Sequence, residues 1–196
     1  MSFVSTLALA MGSSWVSGVN LYAAVATLGL FGRFGQLKLP GQLVVATNGW
    51  VIGVALGLYV VEFVADKVPF VDTAWDAVHT FIRIPAGAVL AAAAFGEFDK
   101  TIQAVAFLVG GGIALSSHGA KATGRAAINI SPEPVSNILA SLGEDVIGIG
   151  AIVLAISYPI VAIVLVTIAV VVSIFLVRRI IRYLSSVTKR IRAIVG

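Results

Sequence analysis

The chain has 196 residues, of which 59% are hydrophobic and 11% are charged, whereas a soluble domain has about 45–50% apolar and about 25% charged residues. This composition excludes a soluble globular protein and indicates an integral membrane protein. The absence of cysteine excludes disulfides, thiolate metal sites and cysteine nucleophiles, and the net charge of +4 does not indicate nucleic-acid binding, because the bases concentrate after the last apolar run.

Six apolar segments, each near the roughly 20 residues that a membrane span requires, predict an all-α polytopic bundle of about six transmembrane helices in a single domain, residues 1–196. The first segment, residues 3–31, is long and is interrupted by small polar residues as far as Asn20. No basic stretch precedes it, so we expect it to be retained rather than cleaved, either as one tilted helix or as two half-helices. If it is re-entrant, five spans remain. The later spans are predicted at residues 42–64, 69–95, 101–117, 134–157 and 159–184.

A weak internal repeat suggests two inverted three-helix halves. Pro40 and Gly49, nine residues apart at the start of the second span, match Pro134 and Gly143 at the start of the fifth. Three spans per half would give the halves opposite orientations, as in many secondary transporters. Chance similarity between segments rich in glycine and alanine is the alternative. The halves would be residues 1–97 and 98–184.

The basic residues predict the orientation in a bacterial cytoplasmic membrane. With six spans, nine bases fall on the inner side and three on the outer side, so both termini are predicted to be cytoplasmic. The basic tail, residues 178–196, is also expected to contact anionic lipid head groups. The inner bases are Lys67, Lys121, Arg125, Arg178, Arg179, Arg182, Lys189, Arg190 and Arg192, and the outer bases are Arg33, Lys38 and Lys100.

Charged side chains follow one face of the third span. Asp72, Asp76, His79 and Arg83 are four, three and four residues apart, a spacing that stacks them on one side of a helix. A charged stripe facing hydrocarbon costs several kcal/mol, so we expect it to line a polar cavity. An amphipathic helix lying in the interface and anchored by Trp75 is the alternative.

A second stripe ends the fourth span, where His118, Lys121 and Arg125 are three and four residues apart. The predicted topology brings both stripes to the inner half of the bundle, next to the acidic residues that end span two and open span five. Together they predict a cytoplasm-facing polar cavity. Its lining residues are Glu62, Asp72, Asp76, His79, Arg83, His118, Lys121, Arg125, Glu144 and Asp145.

Such a cavity predicts a small transporter or flippase-like protein. Arg83 and Lys121 would hold an anionic or lipid-phosphate group, and His79 and Asp76 would couple transport to protons, since imidazole titrates near neutrality. Each histidine also allows a purely structural, hydrogen-bonded role. The sequence contains no recognisable catalytic motif and predicts no cofactor, so we do not expect an enzyme.

Two other interpretations stay open. The spacing of Asp72, Asp76 and His79, joined by Glu62 or Glu144, also suits a divalent metal in an intramembrane enzyme, although the neighbouring cations oppose metal binding. Alternatively, the charges form a buried network that fixes helix packing in a non-catalytic scaffold.

Small residues follow one face of the second span. Gly49, Gly53 and Gly57 repeat every four residues, and this spacing lets two helix backbones approach closely. The pattern predicts either packing within the chain or a homo-oligomer contact.

Three stretches carry a likeness to known sequences: SGVNLY at 17–22, VVEFVADK at 60–67 with WDAVHTFIRIPAG at 75–87, and the region from SPEP at 131–134 to Glu144 and Asp145. With these stretches the chain resembles an uncharacterised bacterial membrane family, one of the domains of unknown function. The resemblance implies a multi-span membrane fold and supplies no activity. It also implies that the polar stripe belongs to the family pattern.

Overall fold

The computed structural model describes residues 1–35, 37–68, 70–129 and 134–195, with side chains up to Tyr183 except that of Pro134. Residues 131–133 of the third motif, and the side chains of Lys189, Arg190 and Arg192, lie outside the described part. The described residues form only helices, which confirms the predicted all-α class. In chain order they are α1 (Phe3–Phe34), a 3-10 helix (Gly41–Thr47), α2 (Gly49–Ala65), α3 (Val71–Ala94), α4 (Lys100–Ile128), α5 (Pro134–Ser157) and α6 (Pro159–Val195).

Five helices, α1, α3, α4, α5 and α6, are each long and apolar enough to cross a membrane. The 3-10 helix and α2 together would make a sixth span, but they are bent by 72° relative to each other. The span predicted at residues 42–64 therefore consists of two helices with a bend between them. The chain turns at Asn48, which has an extended backbone and whose side chain accepts a hydrogen bond from the Trp50 backbone N–H at the start of α2.

α1 is interrupted at Asn20, whose backbone is extended (φ −149°, ψ 97°). The first half of α1 runs antiparallel to α3. Near its start, the Phe3 ring packs on Phe95, with ring centroids 5.7 Å apart. Near its end, Ser17 Oγ donates to the Arg83 carbonyl at 2.9 Å. The first half therefore passes from the last residues of α3 to the middle of α3.

The second half of α1 returns toward the end of α3. The backbone of Gly29 lies against the Ala46 carbonyl in the 3-10 helix, and Gly41 of the same 3-10 helix lies against the Ala93 carbonyl in the last turn of α3. Both ends of α1 are thus at the end of the bundle where α3 finishes. α1 is a re-entrant helical hairpin with Asn20 at its tip.

We call the end of the bundle where α3 finishes the Phe95 end, and the end where it begins the Asp72 end. Because α1 enters and leaves at the Phe95 end, the chain passes between the two ends five times, in α2 to α6. This is the five-span arrangement rather than the six-span one. The start of α1 and the basic end of α6 therefore lie at opposite ends of the bundle, so the six-span argument for two termini on one side no longer applies.

Small residues allow α3 and α4 to pack closely against the α1 hairpin and against each other. The backbone of Gly18 contacts the Ala114 carbonyl and the Ser117 hydroxyl of α4, where a Cβ would overlap both. Gly110 of α4 similarly meets the Gly87 carbonyl of α3, 2.9 Å from the place of a Cβ. Close backbone approach of this kind is the usual way in which membrane helices associate.

The glycines of α2 do not pack against another helix of the described part of the chain. No atom lies within 4 Å of the place that a Cβ would take at Gly53 or Gly57, and at Gly49 only the Arg33 guanidinium is near, at 3.3 Å, among the residues that the structure describes. Packing within the chain was one explanation of this pattern and is wrong for Gly53 and Gly57. The homo-oligomer contact stays a prediction.

The predicted inverted repeat also stays a prediction. Each half contributes three α-helices, but the two matched segments differ in shape. Pro40 and Gly49 flank the 3-10 helix and the bend before α2, whereas Pro134 and Gly143 lie in one continuous helix, α5.

Candidate functional site: a buried charge cluster

The charged residues predicted from the two stripes meet at the Asp72 half of the bundle. The end of α2, one face of α3, one face of α4 and the first turns of α5 bring them together. We use the name charge cluster for the eight residues that ion pairs connect. They are Glu62, Asp66, Asp72, Asp76, Arg83, Lys121, Arg125 and Glu144.

Arg83 lies near the midpoint of α3 and is shared by two carboxylates. Its Nη2 donates to Glu62 Oε1 at 2.8 Å, and its Nη1 donates to Asp76 Oδ1 at 2.6 Å. The side chains of Arg83 and Glu62 are 0% exposed. A charge in this position is tolerated only when it is paired and hydrogen-bonded, so α2 is held against α3 by this contact.

Lys121 occupies the centre of the cluster. Its Nζ donates to Asp66 Oδ2 at 2.7 Å and to the Val19 carbonyl at 3.0 Å. One ammonium group therefore faces carboxylates of α2, α3 and α5 together with a backbone carbonyl of α1. Three further carboxylate oxygens lie near Lys121 Nζ: Glu144 Oε2 at 3.4 Å, Asp76 Oδ1 at 3.6 Å and Glu62 Oε1 at 3.7 Å.

Arg125 links α4 to α5 and to the end of α2. It binds both oxygens of Glu144, at 2.6 Å and 3.2 Å, and its Nη1 donates to the Asp66 carbonyl at 2.9 Å and to Asn137 Oδ1 at 3.2 Å. This bidentate geometry is the one that guanidinium groups form with carboxylates. Glu144 is 21% exposed, so it is the most accessible of these partners.

Asp72 lies at the outer edge of the cluster. Its two oxygens accept from Asn129 Nδ2, at 2.9 Å and 3.1 Å, and Arg125 Nη1 is 3.9 Å away. Asn137 in turn donates to Asn129 Oδ1 at 2.9 Å. These amides hold the start of α3 against the end of α4.

The tip of the α1 hairpin reaches into this cluster. In a continuous helix the Ala23 N–H would donate to the Val19 carbonyl. At the break, Asn20 Oδ1 accepts from the Ala23 N–H at 2.8 Å, and Lys121 donates to the Val19 carbonyl at 3.0 Å. Asn20 Nδ2 also donates to Asp145 Oδ1 at 3.1 Å. At the break, one backbone hydrogen bond is thus replaced by two side-chain hydrogen bonds, one from the Ala23 N–H to Asn20 and one from Lys121 to the Val19 carbonyl.

The charge cluster has more carboxylates than cations. Its five acids and three bases leave a formal charge of −2 when every group is ionised. Three of its buried oxygens have no hydrogen-bond partner within the described part of the chain: Glu62 Oε2, Asp66 Oδ1 and Asp76 Oδ2. Unpartnered buried acceptors are costly, and buried negative charge is costly unless a partner offsets it.

Lys67 follows α2 at the Asp72 end, outside the spanning helices. Its Nζ donates to the Phe63 carbonyl at 2.9 Å and to Ser141 Oγ at 3.2 Å. Burial lowers the pKa of Lys67, and the nearby carboxylates of Asp145 and Asp66 partly oppose this shift.

The two histidines have different surroundings. His79 Nδ1 donates to the Trp75 carbonyl at 2.8 Å, and its Nε2 faces the Tyr22 hydroxyl at 3.0 Å. The ring also stacks on Trp75, with centroids 4.2 Å apart. His118 instead lies between α3 and the α1 hairpin, where Nε2 faces Thr80 Oγ1 at 2.7 Å. His79 therefore forms its hydrogen bonds outside the charge cluster, and His118 lies beside it, with Nδ1 3.5 Å from Arg83 Nη1.

The predicted cavity residues are thus placed in three groups. Those of the charge cluster pair with one another and are buried except for Glu144, which is 21% exposed, so they form a packed network rather than an open cavity. His118 and Asp145 lie beside the cluster, and His79 has separate partners. Sequence reasoning omitted Asp66, Asn20, Asn129 and Asn137 from the site. Asn129 follows Arg125 by four residues and extends the α4 stripe, whereas Asp66 follows Glu62 by four residues and lies on the same face at the end of α2.

The metal interpretation has no geometric support. Asp72 pairs with Asn129, Asp76 with Arg83 and His79 with Tyr22, so the three proposed ligands turn to different partners. No group of three or more histidine and acidic side chains among the described residues is arranged to hold a metal ion.

The fold and the site define a polytopic helical membrane protein with a buried charge cluster at the tip of a re-entrant hairpin. Residues 7–179 match the family described as Domain of unknown function (DUF4126). The chain belongs to this family, which confirms the resemblance to an uncharacterised membrane family. No curated protein and no solved structure matches the chain.

Proposed function

We propose that the protein is a small proton-coupled membrane transporter, and that the charge cluster is its coupling site. The observation that carries the proposal is the tip of the α1 hairpin, which lies inside a buried cluster with an excess of carboxylates. Interrupted helices that present freed carbonyls and half-helix ends near the middle of the bilayer are typical of secondary transporters, where they bind substrates and coupling ions.

The arrangement of the cluster suits exchange between partners. Lys121 Nζ has four carboxylates within 3.7 Å but only one close ion pair, to Asp66. A small shift of α4 would replace this partner by Glu144 or Asp76 without leaving the ammonium unpaired. Ionisable groups inside a membrane are expensive to keep and generally mark ion or substrate pathways.

The contacts bear on the class of substrate. Arg83 and Lys121, the residues predicted to hold an anionic or lipid-phosphate group, are occupied by carboxylates of the chain. An anionic substrate would have to displace one of them, and Glu144 on Arg125 is the most exposed. The excess of carboxylates supports the proton-coupling part of the proposal more directly than it supports an anionic substrate.

We further propose that the protein lies in a bacterial cytoplasmic membrane with the Asp72 end toward the cytoplasm. Lys121 and Arg125 are buried in ion pairs, so they count little as topology signals. Lys67 and the six bases of the tail remain on that side, against three at the Phe95 end. This orientation places the start of α1 outside. α6 has 37 residues, about 56 Å, so its basic end can extend beyond the hydrocarbon core and contact anionic lipid head groups.

Flux in proteoliposomes tests the proposal. Liposomes that enclose a pH-sensitive dye are given gradients of inorganic phosphate, sulfate, sodium or potassium, and a fluorescent phospholipid assay tests lipid flipping. We expect one gradient to drive proton movement above that of protein-free liposomes. Glu62→Gln should suppress this movement, and the control Glu97→Gln should not, because Glu97 is exposed at the Phe95 end. Folded protein that moves neither protons nor lipid in any of these assays would overturn the proposal.

A non-catalytic scaffold is the second candidate, and the burial of Arg83 is the observation that favours it. A buried ion network fixes which helices pack together even when it adds little stability. In a scaffold, the paired exchange Asp76→Arg with Arg83→Asp should restore expression lost in either single variant. It should do so without any effect on proton movement.

A further inference from the structure

An apolar groove runs between α4 and α6 in the Asp72 half of the bundle. It is lined by residues of α4 between Gly112 and Gly119 and by residues of α6 between Ile174 and Arg178, and its volume is about 400 Å³. Gly112 is exposed, and no atom of the described residues lies within 4 Å of the place that its Cβ would take. The missing side chain therefore leaves the groove open toward the lipid.

The groove begins at the membrane boundary and descends into the hydrocarbon. α4 and α6 both start at the Phe95 end and run toward the Asp72 end. At 1.5 Å per residue, Arg178 is about 29 Å from the start of α6, and Gly119 is the same distance from the start of α4. Because the hydrocarbon core is about 30 Å thick, both residues lie near its far boundary. Gly112 lies about 10 Å deeper along α4.

A basic surface adjoins the groove at this boundary. Arg178 lines the groove and also lines a hollow of about 290 Å³ together with Phe175, Arg179 and Arg182. Arg178 and Arg179 are exposed, and neither forms an ion pair with a carboxylate of the described part of the chain. Guanidinium groups bind phosphate through two parallel hydrogen bonds. The guanidinium of Arg178 thus lies where an apolar groove meets a site suited to phosphate.

The occupant must be anionic at Arg178 and apolar about 10 Å deeper, near Gly112. A second copy of the chain would offer no suitable carboxylate among its described residues. The acids of the charge cluster are paired and Asp145 accepts from Asn20, whereas the remaining described acids lie at the Phe95 end. A phospholipid has both parts in the required order, a phosphate at the boundary and an acyl chain directly below it.

Two other apolar grooves lack this feature. One is lined by Trp15, α5 and α6, and the other by α1, α2 and α3 near Trp50, and no charged residue lines either of them. An acyl chain gains little by moving from bulk lipid to an apolar protein surface, because lipid tails are equally apolar. Lipid tails can fill these two grooves without selection, whereas Arg178 allows the groove between α4 and α6 to select a lipid by its head group.

We propose that the groove between α4 and α6 binds one anionic phospholipid from the leaflet at the Asp72 end. Its phosphate contacts Arg178 and Arg179, and one of its acyl chains lies between Gly112 and Ile174. The lipid then fills the space between α6 and the helix that carries Lys121. This deepens the head-group contact proposed for the basic end of α6, and it rests on that placement rather than on transport.

Native mass spectrometry of the delipidated protein tests the selectivity. Phosphatidylglycerol, which is anionic, and phosphatidylcholine, which is zwitterionic, are titrated with the same acyl chains. We expect the first phosphatidylglycerol to bind at a lower concentration than the first phosphatidylcholine. Equal binding of the two lipids would overturn the proposal.

Arg178→Gln tests the head-group contact. It should weaken binding of the first phosphatidylglycerol about fivefold, which corresponds to the about 1 kcal/mol expected for one basic residue near an anionic lipid. Arg33→Gln removes the same charge at the Phe95 end and should leave this binding unchanged. An equal loss in both variants would show attraction to net charge alone and would contradict the site.

Gly112→Leu tests the acyl-chain contact without changing the charge. The leucine side chain would enter the groove, where no atom of the described residues lies within 4 Å of the Cβ position, so the fold should be kept. Binding of the first phosphatidylglycerol should weaken. The control Gly124→Leu, also in open space on α4 but outside the groove, should bind as the wild type does. Unchanged binding in Gly112→Leu would mean that the basic tail holds the lipid without the groove, which would overturn the proposal.

A cross-linking experiment locates the lipid in the wild type and needs no variant to fold. A phosphatidylglycerol with a diazirine near the middle of one acyl chain is added to vesicles of phosphatidylglycerol and phosphatidylcholine that contain the protein. Cross-links should concentrate in residues 112–119 and 174–178. An even distribution over all lipid-facing helices would indicate an adventitious lipid only.

These results are independent of flux. Selective lipid binding without movement of protons or lipid would retain the site and contradict the proposed transporter. Proton-coupled flux in a protein that binds both lipids equally would do the reverse.

Discussion

Replacing Arg83 by methionine tests whether the charge cluster is buried and paired as described. Methionine keeps most of the length of the side chain but removes the guanidinium. The carboxylates of Glu62 and Asp76, which are 0% and 3% exposed, then lose their closest cation. Removing one partner of a buried ion pair costs about 3–5 kcal/mol, because an uncompensated charge stays behind. We therefore expect Arg83→Met to lower the free energy of unfolding by this amount.

The matched control is Arg33→Met at the Phe95 end. Arg33 is exposed, and its Nη1 donates to the Thr47 carbonyl at 3.2 Å. Substitution of such an exposed group is expected to change stability by less than about 1 kcal/mol. The difference between the two arginine variants isolates the effect of burial from that of losing a positive charge.

A second substitution distinguishes lost pairing from lost packing. When Glu62→Gln is added to Arg83→Met, it removes one of the two unpaired carboxylates. The free energy of unfolding of the double variant should therefore exceed the value expected from adding the two single effects by about 0.5–3 kcal/mol.

Reversible unfolding in mixed detergent micelles, followed by tryptophan fluorescence, measures these differences. A loss of less than about 1 kcal/mol in Arg83→Met, equal to that of Arg33→Met, would refute the reasoning. It would mean that water reaches the guanidinium and that the cluster is an open, solvated site.

Three further predictions concern the fold. Gly18→Ala should destabilise the protein by about 1–3 kcal/mol, because its Cβ would overlap α4, whereas Gly53→Ala has open space and should be neutral or stabilising by up to about 1 kcal/mol. In intact cells, an impermeant maleimide should label Ser2→Cys and Lys100→Cys but not Lys67→Cys, and the reverse pattern would contradict the proposed orientation. If the exposed glycines of α2 form a homo-oligomer contact, Gly53→Leu should shift the species in cross-linking toward the monomer, and an unchanged distribution would exclude this contact.

Helical spacing predicted the cluster because it depends on local geometry. The spacing of Asp76 and Arg83, and of Lys121 and Arg125, places each pair on one face of its helix whatever surrounds it. Burial of charge in a membrane then requires those faces to meet. For this reason the charged residues that spacing singles out on α3 and α4 lie next to each other in the charge cluster.

The pairing inside the cluster could not be obtained in this way. An open cavity with free cations and a packed network with paired cations have the same sequence pattern. The distinction depends on Glu62 and Asp66 reaching across from α2, which only the packing of α2 determines. The partners of the two histidines could not be predicted from spacing either, because the Tyr22 hydroxyl and the Gly18 carbonyl both belong to α1.

Hydropathy alone could not predict the reversal of α1 either. Residues 3–31 contain no charged residue and are mostly apolar, so length and composition favour a span. What reverses the chain is one residue, Asn20, whose side chain supplies a hydrogen bond to the Ala23 N–H. The compensating contact for the Val19 carbonyl comes from Lys121, more than 100 residues later in the chain. A local pattern cannot show that such a partner is present.

The reversal at Asn20 is the central claim, because it brings the hairpin tip to the charge cluster. The absence of cysteine makes a direct measurement simple: the double variant Phe3→Cys with Phe34→Cys carries spin labels at two exposed positions, and pulsed electron paramagnetic resonance in nanodiscs gives the distance. A straight helix would separate these residues by about 46 Å. The hairpin predicts less than about 30 Å, the thickness of the hydrocarbon core. A distance near 46 Å would contradict the hairpin and the coupling site built on it.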